Sequence, residues 1–282
     1  MPQGSCLCGA VRYEARGPFS HMMHCHCSMC RKHHGSLYAT FVGAPLEGFR
    51  WLSGEAEVAQ YKSSPEGSRS FCGRCGSVAP MVLPEAGMVF LPAGSLEGDL
   101  GTRPEMHLFV GSKAPWYALT DELPRHDRGA PGMQMPDISR PVVAPQEGLH
   151  LGSCLCGRVA YALDQPPRGM LHCHCLRCRR ARSAAHATNA YYPMESLRWL
   201  RGQDAVREYK VPEAKFFAVA FCADCGGAAP RISEPRGIAV VPTGTLDTDP
   251  GLRPQAHIFL AYKAPWDVVT DGLPQHPEAL GS

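Results

Sequence analysis

Cys25, Cys27 and Cys30 are close enough along the chain to bind one metal ion together. They lie in the segment HCHCSMCR at 24–31. Three thiolates within six residues can contact one face of a zinc ion, and three protein ligands leave its fourth position free for an exchangeable ligand. This pattern is typical of a reactive zinc site. A cluster of redox-active thiols is the alternative interpretation of the same residues.

The flanking histidines His24 and His26 could complete this set and close it. A residue between two ligating cysteines on an extended backbone points to the opposite face, however. We therefore expect an open three-cysteine site. The same motif returns as HCHCLRCR at 172–179. Its three cysteines and two flanking histidines are Cys173, Cys175, Cys178, His172 and His174.

A second set of cysteines has the spacing of a closed metal site. Cys6 and Cys8 form a CxC pair near the start of the chain, and Cys72 and Cys75 form a CxxC pair far downstream. Four cysteines make a tetrahedral zinc site without an open position, so its role is structural. Such a metal contributes folding energy directly, on the order of 10 kcal/mol in peptides. The corresponding residues later in the chain are Cys154, Cys156, Cys222 and Cys225.

The whole chain is a duplication, because these motifs recur in one order. GSCLCGAVRYEA at 4–15 matches GSCLCGRVAYAL at 152–163, and each half holds seven of the 14 cysteines. Two residues are inserted in the second half between its three-cysteine motif and its last cysteine pair. The repeat is far longer than a solenoid unit, which indicates two similar globular domains. We predict a first domain at 1–126, a Pro- and Gly-rich connector at 127–148 and a second domain at 149–282.

The elements that carry these motifs are predicted to be short β-strands. Aromatic and β-branched runs near Gly or Pro are typical of strands. No segment has the pattern of a long amphipathic helix, so each domain is expected to be mostly β. The predicted strands include 11–15, 36–42, 57–62, 88–91, 106–110 and 237–241.

Composition places the chain among ordinary globular proteins. Of the 282 residues, 44% are hydrophobic and 19% are charged, and the net charge is +2. This charge favours neither nucleic acid nor an anionic membrane as a partner. The N-terminal segment lacks the apolar region of a secretory signal, and no apolar run is long enough for a transmembrane helix. We expect a cytoplasmic protein, in which closely spaced cysteines indicate metal binding or catalysis rather than disulfides.

Taken together, the motifs resemble the glutathione-dependent formaldehyde-activating enzymes, a family with a zinc-containing β-tent fold. The matching segments of the first half are GSCLCGAVRY, HCHCSMCRK, FCGRCGS and RPEMHLFVGSKAPWYALTDELP. Those of the second half are GSCLCGRVAY, HCHCLRCRR, FCADCGG and RPQAHIFLAYKAPWDVVTDGLP. The resemblance covers nearly all of both predicted domains.

The resemblance implies a structural zinc at each four-cysteine set and a catalytic zinc at each three-cysteine set, up to four zinc ions per chain. It implies a carbon–sulfur lyase reaction that joins formaldehyde to glutathione or cleaves the adduct. Bound zinc can hold a substrate thiol as its thiolate or polarise an aldehyde. We therefore expect a zinc-dependent lyase or synthase for S-hydroxymethylglutathione or another small thiol conjugate.

Other residues repeat in both halves. Four basic residues follow the three-cysteine motifs and could pair with substrate carboxylates, or could form a solvated basic turn. These are Arg31, Lys32, Arg179 and Arg180. Structural roles are favoured for the strand histidines, packed tryptophans and turn-capping aspartates. These are His107, His257, Trp116, Trp266, Asp121 and Asp271.

The halves differ beside the three-cysteine motifs, where Gly35 of the first half aligns with Ser183. The family usually has Gly here. We expect two metal-loaded but unequal sites, with the first closer to the family pattern. A non-catalytic, zinc-stabilised binding scaffold is the alternative function, because one fold can carry either role. Nucleic-acid binding is disfavoured by the lack of a basic stripe. A duplicated chain could also form an intramolecular pseudo-dimer.

Overall fold

Short β-strands, most of them paired antiparallel, are the main regular secondary structure of the protein. The structure is a computed structural model that describes residues 1–65, 67–132 and 143–281. The first half contains the strands β1 Gln3–Ser5, β2 Arg12–Ala15, β3 Ser20–Cys25, β4 Ala39–Pro45, β5 Phe49–Ser53, β6 Val58–Lys62, β7 Ser68–Cys72, β8 Met81–Leu83, β9 Met88–Pro92, β10 Met106–Leu108 and β11 Arg125–His126.

The second half repeats this order of strands. They are β12 His150–Ser153, β13 Ala160–Leu163, β14 Gly169–Cys173, β15 Ala187–Pro193, β16 Leu197–Arg201, β17 Val206–Lys210, β18 Ala218–Cys222, β19 Ala228–Ala229, β20 Arg231–Ser233, β21 Ile238–Pro242 and β22 Ala256–Ile258. The mostly β fold and the duplication are confirmed, and the predicted strands lie close to β2, β4, β6, β9, β10 and β21.

One short α-helix follows the central strand of each half. These helices are α1 Ser28–His34 and α2 Leu176–Arg182. The remaining helical segments are three-residue 3-10 turns at Leu46–Gly48, Glu55–Glu57, Pro84–Ala86, Ala93–Ser95, Val110–Ser112, Met194–Ser196, Gln203–Ala205, Glu234–Arg236, Thr243–Thr245 and Leu260–Tyr262. The basic residues after the three-cysteine motifs therefore lie in helices. The sequence alone also allowed a solvated basic turn as one interpretation of these residues.

The sheets bring distant parts of each half together. The largest sheet of the first half has the order β11-β10-β3-β4-β9-β8, and that of the second half has the order β20-β21-β15-β14-β22. β3 runs parallel to β10, which pairs His24 with His107, and β14 runs parallel to β22, which pairs His172 with His257. The C-terminal part of each half is thereby placed beside its three-cysteine motif.

The two halves share a hydrophobic core. Aromatic and aliphatic side chains from both sides pack in one cluster, which includes Tyr13, Leu91, Trp116, Tyr161, Val241 and Trp266. Both tryptophans are buried, as predicted. Of the predicted connector at 127–148, residues 133–142 lie outside the described residues.

Contacts between the halves come in reciprocal pairs. Lys32 forms an ion pair with Asp247 of the other half, and the aligned residues Arg180 and Glu97 form the reverse pair. Close backbone approach is reciprocal too: a Cβ atom on Gly94 would lie 2.1 Å from the Ala184 carbonyl oxygen, and one on Gly244 would meet Ser36 in the same way. Reciprocal contacts are the pattern of an interface with two-fold symmetry.

Candidate metal centres

Each four-cysteine set converges on one point. In the first half, the sulfur atoms of Cys6 and Cys8 are 3.4 Å apart, and those of Cys8 and Cys72 are 3.7 Å apart. All four sulfurs of each set lie within 4.8 Å of one another. The two sets are Cys6, Cys8, Cys72, Cys75 and Cys154, Cys156, Cys222, Cys225.

The local backbone holds these sulfurs in place. The Val11 amide donates a hydrogen bond to Cys6 Sγ at 3.3 Å, and the Val159 amide does the same to Cys154 Sγ. In tetrahedral coordination with Zn–S bonds of about 2.3 Å, the sulfurs would be about 3.8 Å apart. The observed spacing fits a zinc ion, and all 14 cysteines are free of disulfides.

The three-cysteine sets lie where a strand passes into a helix. Cys25 ends β3, Cys27 is the N-cap of α1 and Cys30 lies in its first turn. The Cys30 amide donates to Cys27 Sγ at 3.3 Å, which satisfies a free donor at the helix start. The second half repeats this arrangement, and each set of three sulfurs lies within 4.8 Å; they belong to Cys25, Cys27, Cys30 and Cys173, Cys175, Cys178.

Negative charge gathers on the central cysteine of each three-cysteine set. Hydrogen bonds from Cys25 and Cys30 hold the pKa of the Cys27 thiol well below its ordinary value. Hydrogen bonds from Cys173 and Cys178 lower the pKa of Cys175 to about 3. Thiolates are the form that binds zinc, so both sets are prepared for a metal.

The neighbouring histidines do not join the sulfurs. Among the described residues, neither group of three clustered sulfurs includes a histidine nitrogen. Instead, His26 Nε2 lies 2.8 Å from His107 Nδ1, and His107 Nε2 lies 2.9 Å from Asp121 Oδ1. The equivalent chain has the same geometry; it consists of His174, His257 and Asp271.

Asp121 also accepts a hydrogen bond from the Leu123 amide, and Asp271 accepts one from the Leu273 amide. These are the turn contacts that the sequence predicts for the two aspartates. The histidine chains thus anchor the C-terminal turn of each half to the strand that bears the cysteines.

Two unequal residue pairs next to these chains escaped the sequence analysis. Tyr38 of the first half aligns with His186, and Tyr117 aligns with Asp267. The Tyr38 hydroxyl lies 3.3 Å from His186 Nε2 across the two halves, and Asp267 Oδ2 lies 3.3 Å from His174 Nδ1. All four side chains are mostly or fully buried. The only available signal was that these aligned positions differ in residue type.

The basic residues behind the three-cysteine motifs mostly contact the other half. The buried Lys32 ammonium contacts Asp247 and Ser153, and Arg180 pairs with Glu97. Arg179 donates to the carbonyl oxygens of Leu96 and Tyr262.

Arg31 has no such contact in the described part of the chain. Its Nε and Nη1 atoms are buried and have no hydrogen-bond partner there. Of the four basic residues considered for substrate carboxylates, Arg31 alone is left without an assigned contact.

The Gly35 and Ser183 positions have the same backbone conformation. Both follow their helix with positive φ, 64° for Gly35 and 50° for Ser183. Such a conformation is costly for a residue with a side chain. The Ser183 hydroxyl compensates with hydrogen bonds to Val78 O, in the other half, and to Arg180 O. The aligned serine therefore preserves the local fold.

The two halves belong to one enzyme family. The sequence profile of the family described as glutathione-dependent formaldehyde-activating enzyme matches residues 1–112 and 149–262, so the chain is a member of that family with two copies of its domain. The profile covers the cysteines of all four sets, and the described residues include no helix long and apolar enough to cross a membrane.

One curated relative and one solved structure show similarity to part of the chain. A Halomonas elongata protein named "Putative glutathione-dependent formaldehyde-activating enzyme" is 31% identical over 126 residues, which cover 42% of this chain and 80% of that protein. The crystal structure of a Rhodobacter sphaeroides protein is 26% identical, covers 36% of this chain and 97% of that one, and has a TM-score of 0.29.

Proposed function

We propose that the protein is a zinc-dependent carbon–sulfur lyase or synthase that acts on a small thiol adduct of the S-hydroxymethyl type. The observation that carries this proposal is the contrast between sets: four sulfurs converge in one, whereas only three converge in the other. A four-sulfur set completes the coordination of zinc, and a three-sulfur set leaves one position for a substrate.

The reaction needs no oxidant or reductant. In the cleavage direction, the carbon–sulfur bond of the adduct breaks and the sulfur keeps its electron pair as a thiolate, while the hydroxyl loses its proton and its oxygen forms the carbonyl of formaldehyde. The thiolate takes up a proton when it is released. Zinc bound by the three cysteines would stabilise the thiol product as its thiolate. The chain supplies three sulfur ligands to each of the two sites, with Cys27 central in one set and Cys175 central in the other.

In this proposal, each half has a structural and a catalytic set, and the chain holds four zinc ions. The reciprocal ion pairs and shared core support an intramolecular pseudo-dimer of domains at 1–126 and 149–282. Lys32 and Arg180 serve in its interface rather than in a substrate site.

Metal content and turnover of the Cys27→Ser/Cys175→Ser variant test this function. We expect the purified protein to hold four zinc ions and the variant to hold two, with its fold retained by the intact four-cysteine sets. Release of formaldehyde from S-hydroxymethylglutathione should be lost in the variant. A folded variant with unchanged turnover of this and other S-hydroxymethyl thiols would refute the proposal, and two zinc ions in the unmodified protein would favour a binding scaffold.

A further inference from the structure

A large cavity opens beside the three-cysteine set of the second half. Its volume is about 970 Å³, and Cys173, Cys175 and Cys178 form part of its wall. This volume is near the upper end of the usual range for small-molecule sites. The three cysteines that would hold the zinc ion therefore line a cavity large enough for a small-molecule substrate.

Apart from the three cysteines, the charged side chains of the cavity wall are all basic. Among the described residues that line it there is no Asp or Glu, whereas five are basic: Arg177, Arg182, Lys215, Arg231 and Arg236. Arg177 lies 3.7 Å from the exposed Glu213 outside the wall. Glu208 interacts electrostatically with Arg231. The other three form no ion pair within the described part of the chain. A concave surface with several basic side chains attracts anionic ligands.

These charges are peculiar to the second half. The first-half residues that align with Arg177, Arg182, Arg231 and Arg236 are Met29, His34, Met81 and Ala86. Lys215 belongs to the connection between β17 and β18, which is two residues longer than its counterpart between β6 and β7. The insertion noted in the sequence thus contributes to the cavity wall.

The first half covers its own three-cysteine set instead. Phe41 packs against these cysteines, and Arg69 Nη2 lies 3.7 Å from Met29 Sδ beside them. Burial lowers the pKa of the Arg69 guanidinium, but electrostatic interactions with Cys30, Cys27 and Cys25 and a hydrogen bond with Cys30 outweigh this effect and raise the pKa. The aligned residues of the second half are Asn189 and Val219, and both line the cavity.

One buried polar side chain of the cavity wall also lacks a partner. Asn189 is 8% exposed, and its Oδ1 atom has no hydrogen-bond partner among the described residues. Arg182 is 7% exposed and has no ion pair there. Buried polar atoms are normally satisfied, so Asn189 Oδ1 is placed to accept a hydrogen bond from a ligand or a water molecule in the cavity.

We propose that the two halves have divided their roles: the second-half site takes a thiol adduct that carries at least two negative charges, and Arg69 with Phe41 closes the corresponding approach in the first half. The anionic groups of the ligand lie against Arg182, Arg231 and Arg236, while its sulfur reaches the position left open by Cys173, Cys175 and Cys178, which would hold the zinc ion. This inference rests on the proposed function but assigns it to one half and to an anionic substrate.

Alkylation of the unmodified, zinc-loaded protein can test the division. Iodoacetate is an anionic thiol reagent, and iodoacetamide is a neutral one of similar size. We expect iodoacetate to label the second-half set about tenfold or more faster than the first-half set, because cationic clefts raise association rates by such factors. Iodoacetamide should show a smaller preference. Peptide mass spectrometry distinguishes the Cys27 and Cys175 peptides.

Reciprocal substitutions identify the residues responsible. Arg69→Val, which copies the second half, should speed labelling of the Cys27 peptide by both reagents. Val219→Arg should slow labelling of Cys175. Arg182→Gln should slow the labelling of Cys175 by iodoacetate but not by iodoacetamide. The control is Arg253→Gln, at an exposed residue outside the cavity wall, which should change neither labelling rate.

Turnover separates this inference from the function on which it rests. The expected result is a loss of turnover in Cys175→Ser that is at least tenfold larger than the loss in Cys27→Ser. Two results would overturn the division of roles while leaving the lyase reaction intact. One is turnover that depends on Cys27 alone. The other is labelling at equal rates in both halves that Arg69→Val does not change. Selective anionic labelling at Cys175 without any lyase turnover would refute the proposed reaction but uphold the anionic site.

Discussion

Lys32 Nζ of the first half lies 2.6 Å from Asp247 Oδ1 of the second, and both side chains are 2% exposed. The ammonium group also donates to the hydroxyl and carbonyl oxygens of Ser153. Burial lowers the pKa of Lys32, and the nearby Asp247 carboxylate opposes this shift. The pair therefore fixes one half against the other through fully desolvated charges.

Removal of either charge alone should strongly destabilise the fold. We expect Lys32→Met to lower the free energy of unfolding by about 3–5 kcal/mol, because it leaves a buried carboxylate without its cation. Denaturant unfolding measures this change.

The double variant Lys32→Met/Asp247→Asn should recover part of the loss, and Arg103→Ala, which breaks an exposed ion pair with Asp99, should have little effect. A Lys32→Met variant as stable as the unmodified chain would contradict the assigned role.

Close backbone approach between the halves gives a second prediction. Gly94→Ala should destabilise the protein, because the added Cβ would lie 2.1 Å from Ala184 O and 2.2 Å from Ala184 N, both backbone atoms. Thermal unfolding should show a transition several degrees lower. Gly272→Ala is the matched control, since nothing lies within 4 Å of its Cβ position; equal stability of the two variants would argue against the close contact.

The two kinds of cysteine set should differ in their effect on folding. Cys72→Ser removes a ligand from a closed set that ties β1 to β7, so we expect loss of one zinc ion and a large drop in thermal stability. Cys175→Ser should also lose one zinc ion but unfold near the temperature of the unmodified protein. Zinc analysis and calorimetry test both, and similar stability losses in the two variants would remove the distinction between structural and reactive sets.

Acid should weaken the fold through a buried histidine. His186 is 4% exposed, and burial lowers its pKa from 6.5 to about 3. The unfolded chain therefore takes up a proton below pH 6.5 that folded His186 does not accept. Its contribution to stability is complete above pH 6.5 and falls by about 1.4 kcal/mol per pH unit as the pH drops towards 3.

Urea unfolding at several pH values measures this slope, within the range in which zinc content is constant. His186→Gln should make the slope shallower. His21→Asn, which removes an imidazole from an exposed position, is the control. An unchanged slope in His186→Gln would mean that other groups carry the acid sensitivity.

Much of this architecture could be predicted from residue spacing. The period of the repeat and the order of the cysteines defined both halves, and aromatic and β-branched runs located strands such as β4 and β9. Cysteine motifs are local signals, because two ligands within a tight turn must lie near each other. The convergence of Cys6 with Cys72 also followed, since each pair alone is half of a tetrahedral set.

Contacts between the halves could not be predicted in the same way. Lys32 follows a metal motif and looks like a substrate ligand, yet its partner Asp247 is far along the chain. Arg69 lies in an ordinary strand, and only its position over Cys30 shows its importance. Such residues acquire a role through long-range packing, which leaves no periodic trace in one sequence.

The covalent joining of two copies gives this protein a freedom that an assembly of identical subunits lacks. In a symmetric homodimer, each substitution alters both active sites at once, so a side chain that blocks one site also blocks the other. Here Arg69 and Val219 occupy aligned positions in a single polypeptide, so each can be substituted without changing the other. One copy can therefore keep a purely structural role while substitutions in the other adapt its site to a new ligand.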